Sequence, residues 1–87
     1  MSKVRLYGFE DCPYCQELKD LYDENGVNYN YVDIELEKYE KEVKQMMVIA
    51  KTDSVPIIMV DKTILSPEIS FKSIREAYLL TNNILSK

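Results

Sequence analysis

Histidine is absent from this sequence of 87 residues, and cysteine occurs only twice. The lack of histidine excludes the Cys–His and Ser–His pairs with which many enzymes activate a nucleophile. Structural zinc usually takes four cysteine or histidine ligands, so two cysteines alone make a poor zinc site. No apolar run approaches the roughly 20 residues that a membrane-spanning helix needs. The sequence therefore predicts neither a metal site nor a membrane partner.

Basic residues are also scarce. Eleven lysines and arginines stand against 15 acidic residues, which gives a net charge of −4. Nucleic acid is not an expected partner, because phosphate binding needs a basic face. Hydrophobic residues make up 46% of the chain and charged residues 30%, as in an ordinary globular protein. At this length we expect a single domain over residues 1–87.

The two cysteines lie close together, at Cys12 and Cys15, with Pro13 and Tyr14 between them. No apolar signal segment follows the N-terminus, so we expect the protein to stay in a reducing cytoplasm. In that compartment such a pair is more often catalytic or metal-binding than structural. The spacing predicts a dithiol that opens and closes as a disulfide.

Apolar patterning predicts an α/β fold with the order β-α-β-α-β-β-α. The expected strands are residues 4–7, 29–33, 57–60 and 63–65. The expected helices run from 13 to about 25, from about 36 to 50, and from Ser70, a good N-cap, to a frayed tail over 82–87. Phe71, Ile74 and Tyr78 are spaced to share one face of the last helix. The first two strands should be parallel and the last two an antiparallel hairpin.

Cys12 stands just before the first predicted helix, with Pro13 in its first turn. Unpaired backbone N–H groups and the helix dipole then face its sulfur, and in Cys-x-x-Cys sites this lowers the thiol pKa to about 3.5–7. Cys15 lies one turn further in, so we expect it to be more buried and to stay a thiol longer. These positions predict an exposed Cys12 that attacks a disulfide and a Cys15 that resolves the mixed disulfide.

A second element, Ser54-Val55-Pro56, directly precedes the apolar strand 57–60. Pro56 fits a plain strand start, where proline only loses a ladder donor. The alternative is a cis bond before Pro56, which is rare and usually turns the chain tightly. A cis bond here would aim the N–H and C=O of Val55 outwards, where they could pair with the backbone of a substrate lying over Cys12.

Together these residues resemble the glutaredoxins, small members of the thioredoxin-fold superfamily, over essentially the whole chain. Cys12-Pro13-Tyr14-Cys15 is identical to the dithiol glutaredoxin motif, and Ser54-Val55-Pro56 is similar to its Thr-Val-Pro. The resemblance implies a thioredoxin-like fold, with a four-stranded mixed sheet and helices on both faces. It also implies that glutathione reduces the dithiol, and that protein disulfides and glutathione mixed disulfides are its substrates. By that resemblance Tyr14 flanks the glutathione groove, Val55 pairs with the glutathione cysteine, and Pro56 is cis.

The sequence departs from the family pattern on both sides of these motifs. An ungapped alignment puts Ser66-Pro67 where glutaredoxins usually carry two glycines, and Ile69-Ser70 where they carry an acidic pair. The family uses this region for the γ-glutamyl end of glutathione. A helix N-terminus could still receive that carboxylate, with Ser70 left to meet the amine. Upstream, Glu10-Asp11 takes the place of a common lysine and repels anionic glutathione. Lys51 is the candidate cation for the glycyl carboxylate.

Three alternatives stay open beside a monomeric, glutathione-dependent oxidoreductase. The first is a thioredoxin-like redoxin that a flavoprotein reductase recharges, for example one that serves ribonucleotide reductase. The second is a glutaredoxin that holds an iron–sulfur cluster between two subunits, against which Pro13 and a competing Cys15 argue. The third is a non-catalytic fold that only docks a partner, and it predicts an unperturbed thiol at Cys12.

Overall fold

The structure is a computed structural model, and it describes residues 3–86 of the chain. The strands are β1 (Val4–Gly8), β2 (Asn30–Asp33), β3 (Ile57–Val60) and β4 (Thr63–Leu65). The helices are α1 (Pro13–Glu24), α2 (Glu40–Ala50) and α3 (Ile74–Leu85), and a 3₁₀ turn at Glu37–Tyr39 leads into α2. Within this described part, no helix has both the length and the apolar character to cross a membrane.

The four strands form one mixed sheet in the order β2-β1-β3-β4. β2 is parallel to β1, with Leu6 opposite Tyr31, and β3 is antiparallel to β1, with Leu6 opposite Ile58. β3 and β4 form the antiparallel hairpin at the other edge. These pairings confirm the predicted element order and the predicted four-stranded mixed sheet.

Helices cover both faces of the sheet. Because side chains along a strand alternate between faces, Leu6 and Gly8 of β1 point one way and Tyr7 the other. The core on the side of α1 and α3 includes Leu6, Leu18, Tyr22, Ile58, Ile74 and Ala77. The core on the side of α2 consists of Tyr7, Val32, Val43, Met46, Ala50 and Ile57. α1 therefore packs on the face of the sheet that carries Leu6, and Cys15 near its start lies beside Gly8 at the end of β1.

The last helix begins later than predicted. Its N-cap is Ser73, whose Oγ accepts a hydrogen bond from the N–H of Glu76 at 3.1 Å, and not Ser70. Ser70 instead closes a turn, in which its Oγ accepts from the N–H of Ser66 and its own N–H donates to the Ser66 carbonyl. Phe71 precedes the helix yet is buried in the same core as Ile74, so its spacing only mimicked a helical repeat.

Two other predicted boundaries were also wrong. Residues 37–39 form a 3₁₀ turn, so the α-helix proper starts at Glu40 and not near residue 36. The tail expected to fray is helical as far as Leu85, because Ile84 and Leu85 pack against the core and Thr81 is buried. Lys87, the last residue of that predicted tail, lies outside the described residues.

Candidate active site

Cys12 and Cys15 meet at the start of α1. Pro13 occupies the first helical position, where its missing N–H costs nothing, and Cys12 is the N-cap in an extended conformation. The Cys12 Sγ accepts the backbone N–H of Cys15 at 3.2 Å, as a serine or aspartate cap would. The Cys15 thiol donates to the same sulfur at a separation of 2.7 Å. Both cysteines are free thiols, in contact and one helical turn apart.

Burial of the two thiols differs from the prediction in one respect. Cys15 is completely buried, as expected, but Cys12 is only 4% exposed and not the open nucleophile that the sequence indicated. The physical reason is its capping role, since the sulfur turns inward to meet the N–H and the thiol of Cys15. Its neighbours Asp11, Pro13 and Tyr14 are exposed.

The thiol of Cys15 has a raised pKa. Burial raises the pKa of the Cys15 thiol to about 12, and the hydrogen bond to Cys12 acts in the same direction. Cys15 therefore keeps its proton at neutral pH and donates it to the Cys12 sulfur. Two donors converge on Cys12, which makes Cys12 the better placed of the two sulfurs to carry negative charge.

Gly8, at the end of β1, is a site residue that the sequence analysis missed. A Cβ on Gly8 would lie 2.5 Å from the Cys15 Sγ and 3.0 Å from the Cys15 Cβ. Real side chains do not approach so closely, so Cys15 can sit against β1 only because residue 8 has no side chain. The one available signal was the glycine itself at the end of an apolar strand, which favours close approach of another chain segment.

A groove of about 320 Å³ opens beside the start of α1. One wall comes from α1 and the loop before β3, and it consists of Tyr14, Ser54, Val55 and Pro56. The second wall comes from the segment between β4 and α3 and from the start of α3, and it consists of Pro67, Glu68, Phe71, Lys72, Ser73 and Ile74. The peptide bond between Val55 and Pro56 is cis, which confirms the second interpretation of that proline.

Two predicted binding residues lie elsewhere. Lys51 ends α2 in a left-handed conformation, with φ of 59°, and is not among the groove residues. Ser70 faces the N–H of Ser66 and is likewise absent from the lining. The charged side chains at the groove are Glu68 and Lys72, which the ungapped alignment did not assign. Glu68 adopts a left-handed conformation, with a φ of 67°.

No group of three or more cysteine, aspartate or glutamate side chains within residues 3–86 is arranged to hold a metal ion. The described site does hold two free thiols in contact. A dithiol at the N-terminus of the helix after the first strand, with a cis-proline lining the adjoining groove, defines a thiol–disulfide oxidoreductase of the thioredoxin fold.

Comparison with known proteins identifies the family. The glutaredoxin family model matches residues 4–65. Glutaredoxin 1 of Escherichia coli (strain K12) is 36% identical over 62 residues, covering 66% of this chain and 73% of that protein. An uncharacterized glutaredoxin-like 8.6 kDa protein in the rubredoxin operon of Clostridium pasteurianum is 27% identical over 62 residues, covering 71% of this chain and 80% of that protein. The chain belongs to the glutaredoxin family.

Solved structures agree with this fold. Glutaredoxin 1 from Francisella tularensis, complexed with cacodylate, superposes with a TM-score of 0.69 at 24% identity, and the whole of both chains is covered. The glutaredoxin (grx-1) from Archaeoglobus fulgidus gives 0.63 at 25% identity, over 75% of this chain and 74% of that one. The family match ends at Leu65, so the wall of the groove from Pro67 to Ile74 lies beyond it.

Proposed function

We propose that this protein is a glutathione-dependent oxidoreductase that reduces protein disulfides and glutathione mixed disulfides through Cys12 and Cys15. The observation that carries the proposal is the groove beside the dithiol, which combines an exposed Tyr14, the cis Val55–Pro56 bond and a pair of opposite charges at Glu68 and Lys72. Glutathione is a small peptide with one ammonium and two carboxylate groups, so it needs charges of both signs.

The backbone of Val55 supplies a peptide-like anchor. Its N–H and C=O make no hydrogen bond within residues 3–86, and the ladder between β3 and β1 starts only at Ile57. A bound peptide can therefore pair with Val55 as an added strand segment pairs with a sheet edge. In our proposal the cysteine of glutathione takes this place.

The second wall of the groove supplies the charges. Ile74 begins α3 and lines the groove, and N–H groups in the first turn of a helix have no intrahelical acceptor, which favours a carboxylate there. Lys72 adds a cation for a carboxylate, and Glu68 offers the carboxylate that an ammonium group needs. We assign the amine to Glu68, the role that the sequence analysis gave to Ser70.

The proposed reaction runs in two stages. The Cys12 thiolate attacks a substrate disulfide, forming a Cys12–substrate disulfide, and the other substrate sulfur leaves as a thiolate with the bonding electron pair. Cys15 then loses its proton to solvent and attacks the Cys12 sulfur, which forms the Cys12–Cys15 disulfide and releases the second substrate thiolate. One glutathione thiolate reopens this disulfide at Cys12, and a second attacks the glutathione sulfur, releasing the Cys12 thiolate and oxidised glutathione.

This reaction needs one copy of the chain and a reducing compartment. We propose that residues 1–87 act as one domain, as a monomer in the cytoplasm, with no membrane or nucleic-acid partner. The net charge of −4 disfavours a nucleic-acid partner.

A second candidate is a thioredoxin-like redoxin that a flavoprotein reductase recharges, for example in the service of ribonucleotide reductase. Glu10 and Asp11 favour it, because both are exposed next to Cys12 and carry the same sign of charge as glutathione. The second wall of the groove, which lies beyond the family match, also leaves room for a different partner.

A coupled assay separates the two candidates. With hydroxyethyl disulfide as substrate, we expect turnover when glutathione, glutathione reductase and NADPH are supplied, and none when thioredoxin reductase and NADPH replace them. Turnover with thioredoxin reductase alone would overturn the first candidate in favour of the second.

Lys72 and Lys51 provide a matched pair of variants for the groove. We expect Lys72→Gln to raise the KM for glutathione about two- to fivefold with little change in kcat, because an exposed ion pair is worth about 0.2–1 kcal/mol. Lys51→Gln removes the same charge at the end of α2, outside the groove lining, and should leave KM unchanged. Equal effects of the two variants, or an effect of Lys51→Gln alone, would show that the groove does not hold a glutathione carboxylate.

A further inference from the structure

The hydroxyl of Tyr31, on β2, is buried without a partner. Among the buried side-chain oxygen and nitrogen atoms of residues 3–86, it is the only one that makes no hydrogen bond. Buried polar groups are nearly always paired, so such an exception calls for a physical account. The ring of Tyr31 packs against the core on the side of α1 and α3. It also contacts Lys19 of α1, whose Nζ lies 4.3 Å from the ring centroid.

The neighbourhood of this hydroxyl points to Cys15. A Cβ placed on Gly8 would meet the Cys15 Sγ at 2.5 Å and the Tyr31 hydroxyl at 3.4 Å. The hydroxyl and the sulfur therefore border the same small space, which the missing side chain of Gly8 leaves open. In the dithiol state the Cys15 thiol donates its hydrogen bond to the Cys12 sulfur, and it makes no hydrogen bond to Tyr31.

The hydroxyl of Tyr31 has a proton to donate. Burial is the largest cause that raises the pKa of Tyr31, followed by the neighbouring Cys15, so the hydroxyl keeps its proton at neutral pH. The charged and titratable groups around it are Cys12, Cys15, Asp33, Glu10 and Lys19. Of these, Cys15 is a group whose charge changes during thiol–disulfide exchange and whose sulfur borders the same space.

We infer that Tyr31 is a hydrogen-bond donor reserved for the Cys15 thiolate. The inference rests on the roles proposed above, in which Cys15 carries an electron pair in both directions of the reaction. When a thiolate attacks Cys12 in the disulfide, the S–S bond breaks and its electron pair goes to Cys15. When Cys15 resolves a mixed disulfide, it first gives up its proton to solvent and becomes the same thiolate. A donor beside this sulfur lowers both barriers and leaves the dithiol and the disulfide, in which Cys15 is neutral, unaffected.

Tyr31→Phe tests the inference, because it removes only the hydroxyl and keeps the ring that Lys19 contacts. We expect the reduction of the oxidised protein by dithiothreitol, followed by stopped flow, to slow roughly three- to tenfold. This range follows from a hydrogen bond to a charged sulfur, reduced by a Brønsted coefficient of about 0.4–0.5. The reverse reaction should slow by the same factor, so the equilibrium with dithiothreitol should not move. Tyr29→Phe is the control, since its hydroxyl faces Asp23 at 3.3 Å, and it should behave as wild type.

A second measurement separates this role from a merely structural one. In a Cys15→Ser background, reduction of a glutathione mixed disulfide should not respond to Tyr31→Phe, because the thiolate that the hydroxyl serves is gone. Equal slowing in both backgrounds, or rates unchanged by Tyr31→Phe in the intact dithiol, would overturn the inference. Failure of glutathione to reduce wild type would count against the proposed function alone, since the dithiothreitol rates test Tyr31 independently.

Discussion

Replacing Cys12 with serine is expected to abolish thiol exchange with every substrate, down to the uncatalysed rate. Cys12 is the sulfur on which both donors of the site converge, whereas burial keeps Cys15 protonated at neutral pH. Cys15→Ser is expected to retain most of the reduction of glutathione mixed disulfides, which needs one thiol, and to lose the reduction of protein disulfides, which needs two. Both activities can be measured in coupled NADPH assays on the same preparations.

Serine suits this comparison because it preserves the helix start. A serine hydroxyl at position 12 can accept the N–H of residue 15 as the sulfur does now, so thermal unfolding should change little. If Cys15→Ser loses both activities while Cys12→Ser retains one, the roles assigned to the two cysteines are reversed.

Gly8→Ala is expected to have the second largest effect. The new Cβ would overlap the Cys15 Sγ at 2.5 Å, so either β1 or the start of α1 must shift. Inserting a methyl group into a well-packed core costs about 1–3 kcal/mol, and here the displaced atom is one of the two reacting sulfurs. We expect a lower free energy of unfolding in urea together with slower closure of the Cys12–Cys15 disulfide.

A double-mutant cycle identifies the contact responsible. In a Cys15→Ala background the sulfur is gone, so Gly8→Ala should cost clearly less than it does with Cys15 present, although the Cβ contact at 3.0 Å remains. Gly26→Ala provides a contrast, because a Cβ there meets nothing within 4 Å and its cost comes only from a φ of 69°. Equal costs of Gly8→Ala in the two backgrounds would contradict the close approach to Cys15.

The order of elements was predictable because each strand carries a local signal. The apolar run of β3 and the turn after it fix the hairpin from neighbouring residues alone, and Pro13 marks the start of α1. The start of α3 was not predictable in this way. Ser70 and Ser73 are equally good caps by composition, and the hydrogen bonds between Ser66 and Ser70 decide between them.

In the candidate site, too, some features could be predicted from the sequence and others could not. The positions of Cys12, Cys15 and Pro56 could be recognised from motifs, and the cis bond before Pro56 from the family resemblance. The burial of Cys12 could not, because it depends on the sulfur turning inward to cap its own helix. The close contact between Gly8 and Cys15 could not be predicted from the sequence either, because it depends on how α1 packs against β1.

Ser70 and Lys51 were predicted to contact glutathione, and neither of them lines the groove. An ungapped alignment assumes that the chain after β4 follows the family path, but Glu68 takes a left-handed conformation. Glu68 and Lys72 line the groove, whereas Ser70 pairs with Ser66 and Lys51 ends α2 outside the lining. Both groove residues lie beyond residues 4–65, which the family model matches.

In the proposed function glutathione reacts at Cys12, and Cys15 resolves the mixed disulfide. Mass spectrometry of the Cys15→Ser variant after incubation with oxidised glutathione measures both roles. We expect one stable glutathione adduct, located on Cys12, and no adduct on wild type, where Cys15 displaces it to close the disulfide. An unmodified Cys15→Ser variant, or a wild-type protein that accumulates the adduct, would show that these roles are wrong.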